Sequence, residues 1–170
     1  MDKYLFLDFD GVLNTENYTK FLQTNGFDPN DEFGTRFDPD ALQNLKAIIE
    51  QTGAKIIISS SWKEYGVEFL QELWQERNLP SEIYSITPSL IMTNYLDQIE
   101  GGSFHLPERY SKGLEINAWL EKNASGKYSY CVIDDENYFL AEQLSHLVQT
   151  SSKNGLTAVD AEKVIEILKQ

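Results

Sequence analysis

Asp8 and Asp10 stand one residue apart at the end of the apolar run YLFLDFDGVLN, and a glycine follows them. Two carboxylates this close repel each other, so a chain that places both beside its most strand-like segment needs a counter-charge there. Two further groups of chemically able residues follow other apolar runs. Ser59, Ser60 and Ser61 precede Trp62 and Lys63 after KIII, and Asp134, Asp135 and Glu136 end YSYCVID. Clustered carboxylates in a partly dry crevice raise one another's pKa unless a cation compensates. Mg²⁺ is the fitting ion, because it takes oxygen ligands and keeps room for water and a substrate phosphate. Asp8 with Asp134 or Asp135 could hold it, and Asp10 would be left to move protons. The serine hydroxyls and backbone N–H groups could take phosphoryl oxygens, and a lysine could balance the remaining charge.

These residues need a scaffold that brings separated turns together. Five short β-rich runs are expected as strands: Tyr4–Asp8, Ala54–Ser60, Ile83–Thr87, Tyr128–Asp134 and His146–Thr150. Most are continuously apolar, as in strands covered on both faces. Helical patterns separate them. Asp38 and Pro39 cap and start one, Leu42, Leu45, Ile48 and Ile49 line its face, and Gly53 ends it. Val67, Leu70, Leu73 and Trp74 mark a second, Ile116, Trp119 and Leu120 a third, and Leu140, Leu144 and Leu147 a shorter fourth. Thr157 and Asp160 form a capping box for the last, with Ala161, Val164, Ile165 and Leu168 facing inward. The alternation predicts an α/β fold of three layers, a five-stranded parallel sheet with helices on both faces. In such folds ligands bind beyond the carboxyl ends of the strands, which is where the acidic and serine-rich turns fall. The connections Asn14–Phe37 and Pro88–Tyr110 are long enough to carry function but too short for a large cap domain.

Three of these turns and one helical segment together resemble the motifs of the haloacid dehalogenase-like (HAD) superfamily of hydrolases. DFDGV resembles motif I, the serine after the second strand motif II, Lys112 in YSKGLEINAWL motif III, and VIDDE motif IV. SSSWK, KGLEI with WL, IDDE and NGLT are similar to a capless subgroup related to Swiss army knife RNA-repair proteins. The resemblance implies a Rossmann-like HAD fold and a Mg²⁺-dependent phosphomonoesterase. It implies Asp8 as the nucleophile that forms an aspartyl-phosphate and binds Mg²⁺, and Asp10 as general acid and base with its carbonyl on the ion. Ser60 is the motif II choice, with Ser59 and Ser61 open and Ser61 a further substrate contact. Lys112 stabilises the nucleophile and the phosphoryl oxygens, with Lys63 and Arg109 as competitors. Asp135 is the direct metal ligand, and Asp134 binds through water or orients its neighbours.

Composition sets the remaining bounds. With 170 residues the chain is expected to be one domain, 1–170. A net charge of −13 repels phosphate backbones and anionic lipid, so non-specific nucleic-acid binding is not expected. The single cysteine, Cys131, allows no disulfide framework within the chain and reads as a buried thiol. No apolar stretch nears the roughly 20 residues of a membrane span, and a cytoplasmic protein acting on a phosphorylated substrate is expected. His105 and His146 lack a spaced partner, and Trp62 reads as core or as pocket wall. A dehalogenase would lack the Asp10 carboxylate, and a phosphotransferase would need a cap to exclude water. Two alternatives remain beside the phosphatase: a non-catalytic HAD-like binding module, and a phosphatase of nucleic-acid ends within a repair system.

Overall fold

Strand β1 (Asp2–Leu7) lies at the centre of the sheet, and the computed structural model describes residues 1–90 and 111–170 around it. The strands run in the order β5 (Ile83–Ile86), β4 (Lys55–Ile58), β1, β6 (Tyr128–Asp134), β7 (Leu147–Gln149), and every pairing is parallel. The chain thus winds from β1 towards β5 and then crosses back to β6 on the other side of β1. That reversal opens a crevice at the carboxyl end of β1.

Alternation along the strands sorts the core into two layers. Leu5, Leu7, Ile56, Ile58, Cys131 and Ile133 face helices α2 (Pro39–Thr52), α3 (Val67–Glu76) and α5 (Ala158–Lys169). Tyr4, Phe6, Ile57 and Val132 face α4 (Ser111–Asn123) through Ile116, Trp119 and Leu120. Trp119 meets Tyr4 and Phe6 edge-on, at ring-centroid distances of 5.1 and 5.4 Å. Trp74 and Trp119 are both buried, as their helical spacing predicts. Cys131 is fully buried, and burial pushes its thiol pKa up to about 12, which leaves it inert.

Local sequence sets the helix ends. The Asp38 side chain accepts from the Asp40 N–H at the start of α2, and Gly53 closes that helix in the left-handed conformation with φ +64°. Thr157 and Asp160 form the expected capping box on α5.

Two regions hold more than, or other than, their patterns announce. The Asn14–Phe37 connection, expected only to be long, holds regular structure. It contains α1 (Glu16–Thr24) and a short antiparallel hairpin of β2 (Asn30–Asp31) and β3 (Gly34–Thr35). The hairpin has too few residues to show an alternating pattern, and Arg77 after α3 holds it. The guanidinium pairs with both Asp31 carboxylate oxygens at 3.1 and 2.7 Å and donates to the carbonyls of Gly34 and Thr35. Second, the expected short helix marked by Leu140, Leu144 and Leu147 is a 3₁₀ turn over Ala141–His146, with Leu147 already in β7. The spacing of four and then three residues is that of an α-helix face, but Leu144 points to solvent and the segment buries no such face. His105, Arg109, the Gly101–Gly102 pair and Pro107 lie outside the described residues. Among the described residues, no helix is long and apolar enough to cross a membrane.

Candidate active site

The site grows from the register of the sheet. Leu7 lies beside Ile58 on one side and Ile133 on the other. The next residues, Ser59, Asp8 and Asp134, therefore stand abreast on three neighbouring strands. Backbone bonds continue the ladder at this level: Ser59 donates to Leu7 O at 2.9 Å, Asp8 to Ile133 O at 3.1 Å, and Thr87 to Ile58 O at 3.0 Å. Leu7, Ile58 and Ile133 all face the α2 side, so alternation turns the following row toward α4. Lys112 waits there, in the first turn of α4.

Its ammonium bridges the two central carboxylates, donating to Asp8 Oδ2 at 2.6 Å and to Asp134 Oδ2 at 2.7 Å. The other oxygens are held by backbone: Phe9 N–H donates to Asp8 Oδ1, and Glu136 N–H donates to Asp134 Oδ1. Asp8 and Asp134 are only 4% and 1% exposed. Asp135 completes the group, with one oxygen from each of Asp8, Asp134 and Asp135 lying within 4.8 Å of the others. The carboxylate of Asp135 rests on Gly11, which has φ +70°, and a Cβ at that position would come within 2.3 Å of Asp135 Oδ2. Glycine is required here twice over, by conformation and by space. Thr150 locks the same turn by donating its hydroxyl to Gly11 O at 2.8 Å.

The charges do not balance. Burial pushes the Asp134 carboxyl up and the Asp8 charge adds to this, against the pull of Lys112. Burial, followed by the Asp8 charge, also raises Asp135. Burial works to discharge Lys112, but Asp8 and Asp134 outweigh it and hold the ammonium above its ordinary range. Three carboxylates thus face one ammonium in a poorly hydrated corner. An all-oxygen donor set with excess negative charge fits a hard divalent cation such as Mg²⁺.

Asp10 sits apart from this group and points to solvent. Asn14 Nδ2 donates to its Oδ1 at 2.7 Å, and Trp62 Nε1 donates to its Oδ2 at 3.0 Å. Among the serines, Ser60 accepts from Trp62 N–H at 3.4 Å and caps the 3₁₀ turn Ser61–Tyr65, and Ser61 is exposed. The Ser59 hydroxyl is 2% exposed as a residue and has no hydrogen-bond partner among the described residues. Lys63 does not reach the carboxylates. It is buried, donating to Glu115 at 2.5 Å, to Thr87 Oγ1 at 3.0 Å and to Pro88 O at 3.1 Å. The structure thus brings Asp8, Asp134, Asp135 and Lys112 into one cluster, sets Asp10 beside it, and commits Lys63 to a separate ion pair.

Sequence reasoning left three of these residues without a role. Asn14 stood out only as the start of a long connection, although its position four residues after Asp10 suits a turn that folds back. Trp62 read as core or as pocket wall with no polar role, and nothing in the local pattern singled out Glu115.

A parallel sheet with this winding and an acidic cluster at the end of β1 define a HAD-type hydrolase fold. The profile of the family described as the HAD domain in Swiss Army Knife RNA repair proteins matches residues 4–161, and the chain belongs to that family. A search of curated proteins returns no significant match.

Two outcomes follow from the geometry. Gly11→Ala forces a left-handed alanine against Asp135, which costs on the order of 1–3 kcal/mol and displaces a candidate ligand; urea unfolding should show the loss. The second concerns pH. Asp134 is raised from 3.8 to about 7, so the folded state holds a proton that the unfolded chain has released. Its stabilising effect is full below pH 4 and is lost as pH rises towards 7. In thermal denaturation of metal-free protein, Asp134→Asn should flatten the decline in stability across that window.

Proposed function

We propose that this protein is a Mg²⁺-dependent phosphomonoesterase that works through an aspartyl-phosphate on Asp8. The observation that carries the reading is the meeting of Asp8, Lys112, Asp134 and Asp135 at one sheet edge, with Asp10 held beside them. Asp8, Asp134 and Asp135 would hold the ion, joined, by resemblance to the family, by the carbonyl of Asp10. When bound, Mg²⁺ supplies charge neutralisation for the phosphate and the carboxylates.

The chain's own residues do the rest. An oxygen of Asp8 attacks phosphorus and the bond to the leaving oxygen breaks. Asp10 gives that oxygen its proton, so an alcohol departs and Asp8 carries the phosphoryl group. A water then gives a proton to Asp10 and attacks phosphorus, the Asp8–phosphorus bond breaks, and inorganic phosphate leaves. Lys112 offsets charge on Asp8 before attack and on the phosphoryl oxygens afterwards. Ser59 is the better placed of the three serines for a phosphoryl oxygen. It stands abreast of Asp8 and its hydroxyl is uncommitted among the described residues, while the Ser60 oxygen accepts from Trp62. Ser61 stays available as a peripheral contact.

The substrate class is a second layer of the proposal. The family's description places such domains in RNA repair proteins, which favours phosphorylated nucleic-acid ends. A net charge of −13 argues that binding there is local rather than spread over a backbone.

The deciding assay is phosphate release from an aryl phosphate, mononucleotides, sugar phosphates, and oligonucleotides carrying 5′- or 3′-phosphates. Turnover should need Mg²⁺, and Asp8→Asn should lower kcat roughly a thousandfold or more. Retained activity in Asp8→Asn contradicts the nucleophile assignment. Binding of phosphates without turnover across the panel favours a non-catalytic module.

A further inference from the structure

The carboxyl group of Asp10 is held from two sides by groups that can only donate to it. Trp62 Nε1–H has no acceptor function. The Asn14 amide is oriented by its own second contact: Gly11 N–H donates to Asn14 Oδ1 at 3.2 Å, which leaves Nδ2 to donate to Asp10 at 2.7 Å. A proton carried by Asp10 therefore finds no acceptor in either neighbour and must point outward, to the open side of the turn. For a group that has to deliver a proton, this is directional control.

The indole is itself braced. Its ring meets Phe9 edge-on at 5.5 Å and lies against Phe37 at 5.9 Å. On another side it touches the hairpin at Gly34, where a Cβ would approach the ring to 3.2 Å. The hairpin is in turn tied to the end of α3 by Arg77, whose guanidinium also stacks on Phe37 at 4.3 Å. One chain of contacts thus runs from Arg77 through the hairpin and the Trp62 ring to Asp10.

We propose that Trp62, together with Asn14, is a positioning residue that aims the Asp10 proton at the leaving oxygen, and that the β2–β3 hairpin is the brace that fixes the indole. The inference rests on the phosphatase reading above. It differs in what it predicts, because protonation matters only for leaving groups that need it. A nitrophenolate departs largely unassisted, whereas an alkoxide requires the proton as the P–O bond breaks.

The test compares kcat/KM for p-nitrophenyl phosphate and for a simple alkyl phosphate, in wild type and in Trp62→Phe, with Mg²⁺ present. This ratio reports the steps up to transfer onto Asp8, before the water step. Phenylalanine keeps an aromatic ring beside Phe9 and Phe37 but removes the N–H together with the edge of the indole that meets Gly34. The alkyl substrate should lose about tenfold or more relative to the aryl substrate, a selectivity that a general loss of stability would not produce. Arg77→Lys, which loosens the brace without touching Trp62 or Asp10, should give the same selective loss in smaller measure, and it serves if Trp62→Phe folds poorly. An equal loss for both substrates, or no loss for either, overturns the positioning role. A wild-type enzyme inactive on both substrates and on the 5′- and 3′-phosphorylated oligonucleotides overturns instead the phosphatase reading on which it stands.

Discussion

The Lys112 ammonium between Asp8 and Asp134 is the contact on which the site depends. Both carboxylates are buried, where an unpaired charge is costly, and at 2.6 and 2.7 Å the lysine serves both. It also fixes geometry, because Asp8 and Asp134 come from separate strands and Lys112 from a helix on one face of the sheet. The lysine can offset only part of the charge once Asp135 is counted. That deficit is the physical reason the cluster suits a cation, and burial together with neighbouring charge pushes Asp134 and Asp135 upward.

The fold exists in a form that produces this contact. A reversal of winding at β1 leaves its carboxyl end uncovered, and in-register parallel pairing sets Ser59, Asp8 and Asp134 in one row. Alternation then aims the row at α4. A second buried pair, Lys63 with Glu115, lies one helical turn along α4 from Lys112 and ties that helix to the turn bearing Trp62. The helix that supplies the lysine and the turn that orients Asp10 are therefore fastened to each other.

Much of this was legible in the sequence because it rests on local chemistry. The five strands of the parallel sheet, the Asp38–Gly53 helix and the Thr157 capping box follow from apolar runs, caps and a left-handed glycine. The order of the acidic and serine turns pointed to the sheet edge where they meet. What escaped depends on partners distant in the chain. The hairpin is held by Arg77, more than forty residues away, and no local pattern announces it. Ser60 seemed the natural hydroxyl because it sits mid-run in SSSW, and only the register reveals that Ser59 is level with Asp8. Trp62 reads as core or as pocket wall, and what neither reading shows is a single N–H whose acceptor is 52 positions earlier.

The most direct test of the carboxylate cluster is calorimetric titration of the protein with Mg²⁺ near neutral pH. One ion per chain should bind, with affinity falling as the buffer is made more acidic, and Asp134→Asn and Asp135→Asn should each weaken it at least tenfold. No binding by the wild-type protein, or binding that both variants leave intact, would contradict the account.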